Sequence, residues 1–207
     1  VPTAFGYSLD FVPPLLAGLI VAFYWGRVIK LVVKTRQQTG QSAHFLPPEP
    51  LGRAIRIVWY PTVGLWILVP LVTALSDEPA WLTPHPLPWL VAWIAAAVCV
   101  VALALTMVCW KRMGRDWRMG IDPNEKNRLI ISGPYAIVRH PIYALSQVLV
   151  IATMLTNPST GMIVVAVLHM LFLQWEARRE ERHLLNAHGE AYAHYMRTVG
   201  RFLPKLT

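Results

Sequence analysis

The chain has 207 residues, of which 55% are hydrophobic and only 14% charged, with a formal net charge of +8. A soluble domain of this size carries about 25% charged residues, and here the apolar residues are gathered into long runs, so a soluble globular fold is excluded. Nucleic-acid binding is excluded as the reason for the basic excess, because the positive charges are partitioned along the chain rather than spread over it.

The first predicted span covers roughly Phe11–Val33 and opens on Pro13 and Pro14, which suit the first turn of a helix. No basic residue precedes this apolar run, so it reads as a retained span and not as a cleaved leader. Its far end carries Arg27 and Lys30, long enough to snorkel to the headgroups. A polar connection follows, closing on Pro47-Pro48-Glu49-Pro50. The second span, roughly Ile55–Leu75, contains Pro61, Gly64 and Pro70, which predict kinks. The connection Ser76–Pro88 is short and proline-rich and holds Asp77 and Glu78.

The third span, Leu87–Trp110, has no charge at all and carries Trp89, Trp93 and Trp110 near its ends as interfacial anchors. Its two cysteines, Cys99 and Cys109, stand about 15 Å apart along one helix and cannot bridge, so they read as apolar packing residues. The polar, basic segment 111–140 comes next. Two apolar stretches then follow, Pro141–Thr156 and Gly161–Trp175, divided by the turn signal Asn157-Pro158-Ser159-Thr160. Each is shorter than the roughly 20 residues that cross a 30 Å core, so they predict a tight antiparallel hairpin that continues past the membrane surface. Its second helix is expected to run on as an amphipathic extension to about Arg197.

The lysines and arginines fall in three clusters: Arg27–Arg56, Lys111–Arg139 and Arg178–Lys205. With all three on one side, the positive-inside rule makes that side cytoplasmic. The expectation is an all-α polytopic membrane protein of about five spans, N-terminus outside and C-terminus inside. The chain, 1–207, reads as one integral membrane domain with three N-terminal spans over 1–110.

Two segments carry the chemistry. One is Gly133-Pro134-Tyr135-Ala136-Ile137-Val138-Arg139-His140-Pro141-Ile142-Tyr143. The other is Glu180-Glu181-Arg182-His183-Leu184, continued by Gly189, Tyr192 and Tyr195. The hairpin brings them to the same membrane mouth, and ionisable groups there are a functional signal because desolvating them is costly. Taken singly, Arg139 and His140 read as inside anchors, and Glu180 and Glu181 as a solvated face paired with Arg178 or Arg182. Their joint occurrence favours a binding site.

The paired pattern Gly-Pro-Tyr-x3-Arg-His-Pro-x-Tyr and Glu-Glu-x2-Leu-x4-Gly-x2-Tyr-x2-Tyr resembles the membrane methyltransferases, a superfamily that includes isoprenylcysteine carboxyl methyltransferase and the phospholipid N-methyltransferases. The resemblance covers roughly 111–204. It implies an S-adenosylmethionine pocket open to the cytoplasm, formed by the last two helices, the loop before them and the C-terminal helix. A lipophilic or small thiol, carboxyl or amine acceptor would enter from the bilayer. Tyr135, Val138, Arg139, His140, Tyr143, Glu180, Glu181 and Leu184 match the family's cofactor segments, and Glu181 and Arg178 are the candidate catalytic residues. The donor's carboxylate calls for Arg139 and His140, and its ammonium for Glu180 or Glu181.

The histidines His183, His188 and His194 lack the three- or four-residue spacing that stacks ligands on one helix face, so no metal site is expected. His169, inside a span, reads as an interhelical hydrogen-bonding residue or a cavity liner. Two other classes compete: an NADPH-dependent sterol-type reductase, which shares an Arg-His-Pro-x-Tyr segment, and a non-catalytic transporter or structural protein.

Overall fold

The computed structural model of the chain describes residues 3–4, 7–40, 50–75, 85, 87–119 and 129–205. The Pro47-Pro48-Glu49 stretch, Asp77, Glu78, Lys126 and Arg128 lie outside the described residues. Apart from a two-residue antiparallel pair, Thr3–Ala4 with Tyr7–Ser8, the architecture is helical. Its helices are α1 (Val12–Thr39), α2 (Pro50–Leu75), α3 (Trp89–Met113), α4 (Pro141–Thr156), α5 (Thr160–His188) and α6 (Glu190–Thr198). The first three and α5 are long and apolar enough to cross a membrane, and α4 is a shorter apolar helix. The all-α polytopic expectation therefore holds.

Helix lengths set the depth of the site. With 16 residues, α4 is roughly 24 Å long, less than a hydrocarbon core of about 30 Å. Its C-terminal turn is fixed at one end of the bundle. There Asn157 Nδ2 donates to Thr73 Oγ1 at 2.9 Å, and the His85 N–H donates to the Pro158 carbonyl at 3.1 Å. Ser159 then caps α5 by accepting from the Met162 N–H. The N-terminus of α4 is consequently drawn inward from the opposite surface. The 29-residue α5 has length to spare at that end, and its residues after Trp175 project alongside the start of α4.

Two boundaries differ from the hydropathy reading. Helix α1 continues six residues past Val33, because Lys34–Thr39 extends the helix as a polar turn and a half beyond the apolar run, until Gly40 (φ 69°) closes it. The expected continuous helix to about Arg197 is broken: Gly189 at φ 53° ends α5 and lets α6 turn back toward the site. By contrast α2 runs uninterrupted through Pro61, Gly64 and Pro70. Thr62 donates to the Val58 carbonyl at 2.9 Å and Thr73 to the Val69 carbonyl at 3.1 Å, satisfying backbone acceptors beside the two prolines.

Packing between spans is aromatic toward the basic end and small-residue toward the other. Tyr24, Trp25, Trp59 and Trp110 form a connected ring cluster with centroid separations of 5.1 to 5.5 Å. At the far end a Cβ on Gly18 would meet Leu71 Cδ2 at 2.6 Å, so glycine permits the close approach of α1 and α2. Cys99 and Cys109 are buried in the bundle and free, as packing residues. The outward faces carry Leu19, Phe23, Val100, Leu105, Val167 and Leu171, an exposed apolar belt that suits lipid tails.

Candidate functional site

Main-chain pairing fixes the first motif. After the turn Gly133–Ala136, Val138 forms a parallel bridge with Gly200, and the chain beyond α6 runs alongside. The Arg139 N–H donates to the Gly200 carbonyl at 2.8 Å and the His140 N–H to the Arg201 carbonyl at 3.1 Å. The Tyr195 hydroxyl donates to the Tyr135 carbonyl, tying α6 to the same strip. Val138 thus serves through its backbone; its side chain is buried and lines neither cavity described below.

Glu181 is the knot of this arrangement. Its carboxylate accepts from Arg139 Nη2 at 2.8 Å, from Arg201 Nη2 at 2.5 Å, and lies 3.3 Å from His140 Nε2. Arg139 also donates through Nη1 to the Met196 and Val199 carbonyls, so all three of its nitrogens are engaged within the protein. One of its five N–H groups, on Nη2, is left for a ligand carboxylate, and Arg139 lines both cavities described below. The reading of the glutamate pair as a solvated face bonded to Arg178 or Arg182 is corrected: both partners come from other segments. Burial, the largest influence on His140, opposes its protonation. The hydrogen bonds and charges of Glu180 and Glu181 outweigh it and hold the pKa above the ordinary value. The bond to Glu181 likewise raises Arg201.

Glu180, one residue earlier, is placed differently. Its side chain is 31% exposed, with Oε2 3.5 Å from His140 Nδ1. It also accepts a hydrogen bond from the Tyr143 side chain, and as an acceptor at both oxygens it can still take up a cation.

Two cavities meet at this point. The inner one, about 760 Å3, is walled by Trp25, Trp59, Trp110 and Phe172 and reaches Ser146 and His169. The outer one, about 920 Å3, is bounded by His183, Leu184, Tyr192 and Tyr195. Tyr135, Arg139, His140, Tyr143, Glu176 and Glu180 line both, forming a shared wall. Tyr135 and Tyr192 each hold a buried hydroxyl with no hydrogen-bond partner among the described residues. Burial also raises both phenols, so they are neutral donors.

The inner cavity holds residues that sequence reasoning missed. Arg56 and Glu176, each 3% exposed, pair at 3.1 Å across 120 residues. The guanidinium lies 4.8 Å from the Trp59 ring centre and 5.3 Å from that of Phe172, and also donates to the Met119 carbonyl at 3.0 Å. Arg179 supplies a second cation to Glu176 at 3.1 Å. His169 makes the interhelical bonds expected of it. Trp59 Nε1 can only donate, here to His169 Nδ1 at 3.2 Å, so the imidazole proton is assigned to Nε2, which meets Ser146 Oγ at 2.9 Å.

A family model described as the isoprenylcysteine carboxyl methyltransferase (ICMT) family matches residues 93–186, a span that contains the first motif, the Glu180–Leu184 part of the second and the shared wall. That stretch, somewhat under half of the chain, is similar to the ICMT family. Two curated proteins are also similar to the chain. One is the nickel-cobalt-cadmium resistance protein NccN of Alcaligenes xylosoxydans xylosoxydans, 28% identical over 147 residues, which is 70% of this chain and 65% of that protein. The other is the cobalt-zinc-cadmium resistance protein CzcN of Cupriavidus metallidurans, 31% identical over 123 residues, 58% of this chain and 55% of that protein. The chain thus spans less than two thirds of the length of either relative.

Within the matched stretch the structure brings together Tyr135, Arg139, His140, Tyr143, Glu180, Glu181 and Leu184. Arg178 is not among them. It is exposed on the outer side of α5 and lines neither cavity, which removes the geometric basis for a catalytic role. Glu181 is held by three cationic partners, which makes it a positioning residue rather than a free base. Arg201 and Arg56 lie outside the motifs, whereas Tyr135 belongs to the first motif and Tyr192 to the continuation of the second. Only the Gly-x2-Tyr-x2-Tyr continuation hinted at Tyr192.

Proposed function

We propose that the chain is an integral membrane methyltransferase that transfers a methyl group from S-adenosylmethionine to a lipophilic or small thiol, carboxyl or amine acceptor, with its site on the cytoplasmic side. The observation that carries this reading is the pair of cavities, one polar and one aromatic, that meet at a shared wall including Tyr135, Arg139, His140, Tyr143, Glu176 and Glu180. A methyl donor and its acceptor need such an arrangement, because in-line displacement demands two molecules held end to end.

The residues of the outer cavity fit the donor. S-adenosylmethionine, when bound, supplies an electrophilic methyl on a cationic sulfonium. Glu180 and Asp116 both line it and can balance positive charge there, and the Tyr135 and Tyr192 hydroxyls are donors that want an acceptor. His140, kept protonated between Glu180 and Glu181, holds both carboxylates in place. The inner cavity, with eight Phe, Trp and Tyr side chains in its lining and the Arg56–Glu176 ion pair, favours an acceptor with an apolar body and excludes bulk water from the reacting end. The basic clusters at the site's end of the bundle support a cytoplasmic opening.

Equilibrium binding to the protein in lipid nanodiscs tests the class. S-adenosylhomocysteine is expected to bind and NADPH to fail; the opposite preference would establish the reductase, and absence of both a non-catalytic protein. Transfer of labelled methyl from S-adenosylmethionine to a total lipid extract and a panel of thiols then identifies the acceptor.

A further inference from the structure

On the opposite side of Trp110 from the aromatic cavity lies an open groove of about 1160 Å3 between α1 and α3. Arg27, Leu31, Lys34 and Gln38 line it from α1, at the spacing of one helical face, and Lys111 lines it from the end of α3. Its apolar floor is Leu31, Met107 and Val108. None of the described lining residues is an Asp or Glu. Among the described residues, Arg27, Lys34 and Lys111 make no ion pair. Arg27 Nε is buried with no hydrogen-bond partner among the described residues.

We infer that this groove is a binding site for one anionic phospholipid, its phosphate held by Arg27, Lys34 and Lys111 and its acyl chains lying on Leu31, Met107 and Val108. Three cations converging without a carboxylate repel one another, and a buried guanidinium N–H without an acceptor carries a desolvation cost. A phosphate oxygen relieves both, through charge-assisted hydrogen bonds. The same charge pattern selects among lipids. A choline or ethanolamine headgroup brings an ammonium that finds no carboxylate here, whereas an anionic headgroup adds no opposing charge. Position agrees with the occupant. The groove lies at the basic end of the bundle, where Trp110 and Lys111 mark the passage from apolar to polar surface. Free inorganic phosphate shares the headgroup chemistry but leaves the apolar floor uncovered. The inference does not depend on methyl transfer.

Native mass spectrometry of protein extracted from vesicles of equal phosphatidylglycerol and phosphatidylcholine tests it. The expected result is retention of one phosphatidylglycerol in preference to phosphatidylcholine. The triple variant Arg27→Gln, Lys34→Gln, Lys111→Gln should lower that preference by about tenfold or more, given the contribution of each basic residue near a charged surface. The variant Arg27→Lys, which keeps the charge and removes the Nε donor, should lose part of it. A control triple, Lys30→Gln, Arg36→Gln, Arg53→Gln, removes the same charge from exposed positions outside the groove and should retain it. Equal loss in the control, no preference in the parent, or displacement of the lipid by millimolar inorganic phosphate would each overturn the site.

Discussion

Two buried ionic centres lie within a few helical turns of each other and do opposite things. Around Glu181 three cationic side chains and a strip of main-chain hydrogen bonds close on one carboxylate, leaving it nothing to offer a ligand. Around Glu176 the partner Arg56 is bounded instead by ring faces and one carbonyl, and the pair opens onto the inner cavity. Burial of charge is therefore not one signal. A saturated centre fixes geometry, and an open one is available for recognition.

The largest expected effect separates them. Glu181→Gln leaves Arg139 and Arg201 facing a neutral amide and should destabilise the protein by about 3–5 kcal/mol, the cost of breaking a buried pair, read by thermal unfolding. Because Arg139 and His140 then lose their anchor, binding of S-adenosylhomocysteine should disappear with it. Arg56→Met should cost about 3 kcal/mol, at the low end of that range, since Arg179 stays beside Glu176. The double variant Arg56→Met, Glu176→Leu should regain most of the loss. Binding of S-adenosylhomocysteine should persist in both; if Arg56→Met abolished it, the distinction between the two centres would fail.

His140 gives the comparison a pH dependence. Its pKa is raised in the folded state, so its contribution is fully present below its unfolded value of about 6.5 and is lost as pH rises through the higher folded value. Stability should fall with increasing pH above about 6.5, and His140→Gln should flatten that slope. Smaller again, Tyr135→Phe and Tyr192→Phe remove hydroxyls that bond nothing among the described residues, so unfolding should hardly change. Affinity for S-adenosylhomocysteine should fall by about fivefold to tenfold for each, the value of one net hydrogen bond. Arg178→Ala should stay within about 0.5 kcal/mol and leave binding intact.

What was legible in the sequence follows from the range of each interaction. Hydropathy is local, so all five apolar helices were visible, including the short hairpin of Pro141–Thr156 with the following span. Helix ends were less so. Lys34–Thr39 continues α1 without any apolar signal, and a single left-handed Gly189 broke what periodicity carried through. Arg139, His140, Glu180 and Glu181 were found because two motifs announced them together. Arg56 was hidden: at the edge of a basic cluster it resembles any inside anchor, and only the packing of α2 on α5 reveals its partner. Arg201 sits in a tail with no pattern of its own. Sequence also overvalued Arg178, since adjacency to a glutamate pair says nothing about which side of a helix faces the cavity.

The bridge between Val138 and Gly200 fixes an order of assembly. Both strips of the pocket's base are complete only when the segment after α6 has been synthesised, by which time every apolar helix has already been made. A chain truncated before Gly200 would therefore keep all five apolar helices while lacking the strip to which the Arg139 and His140 amides bond.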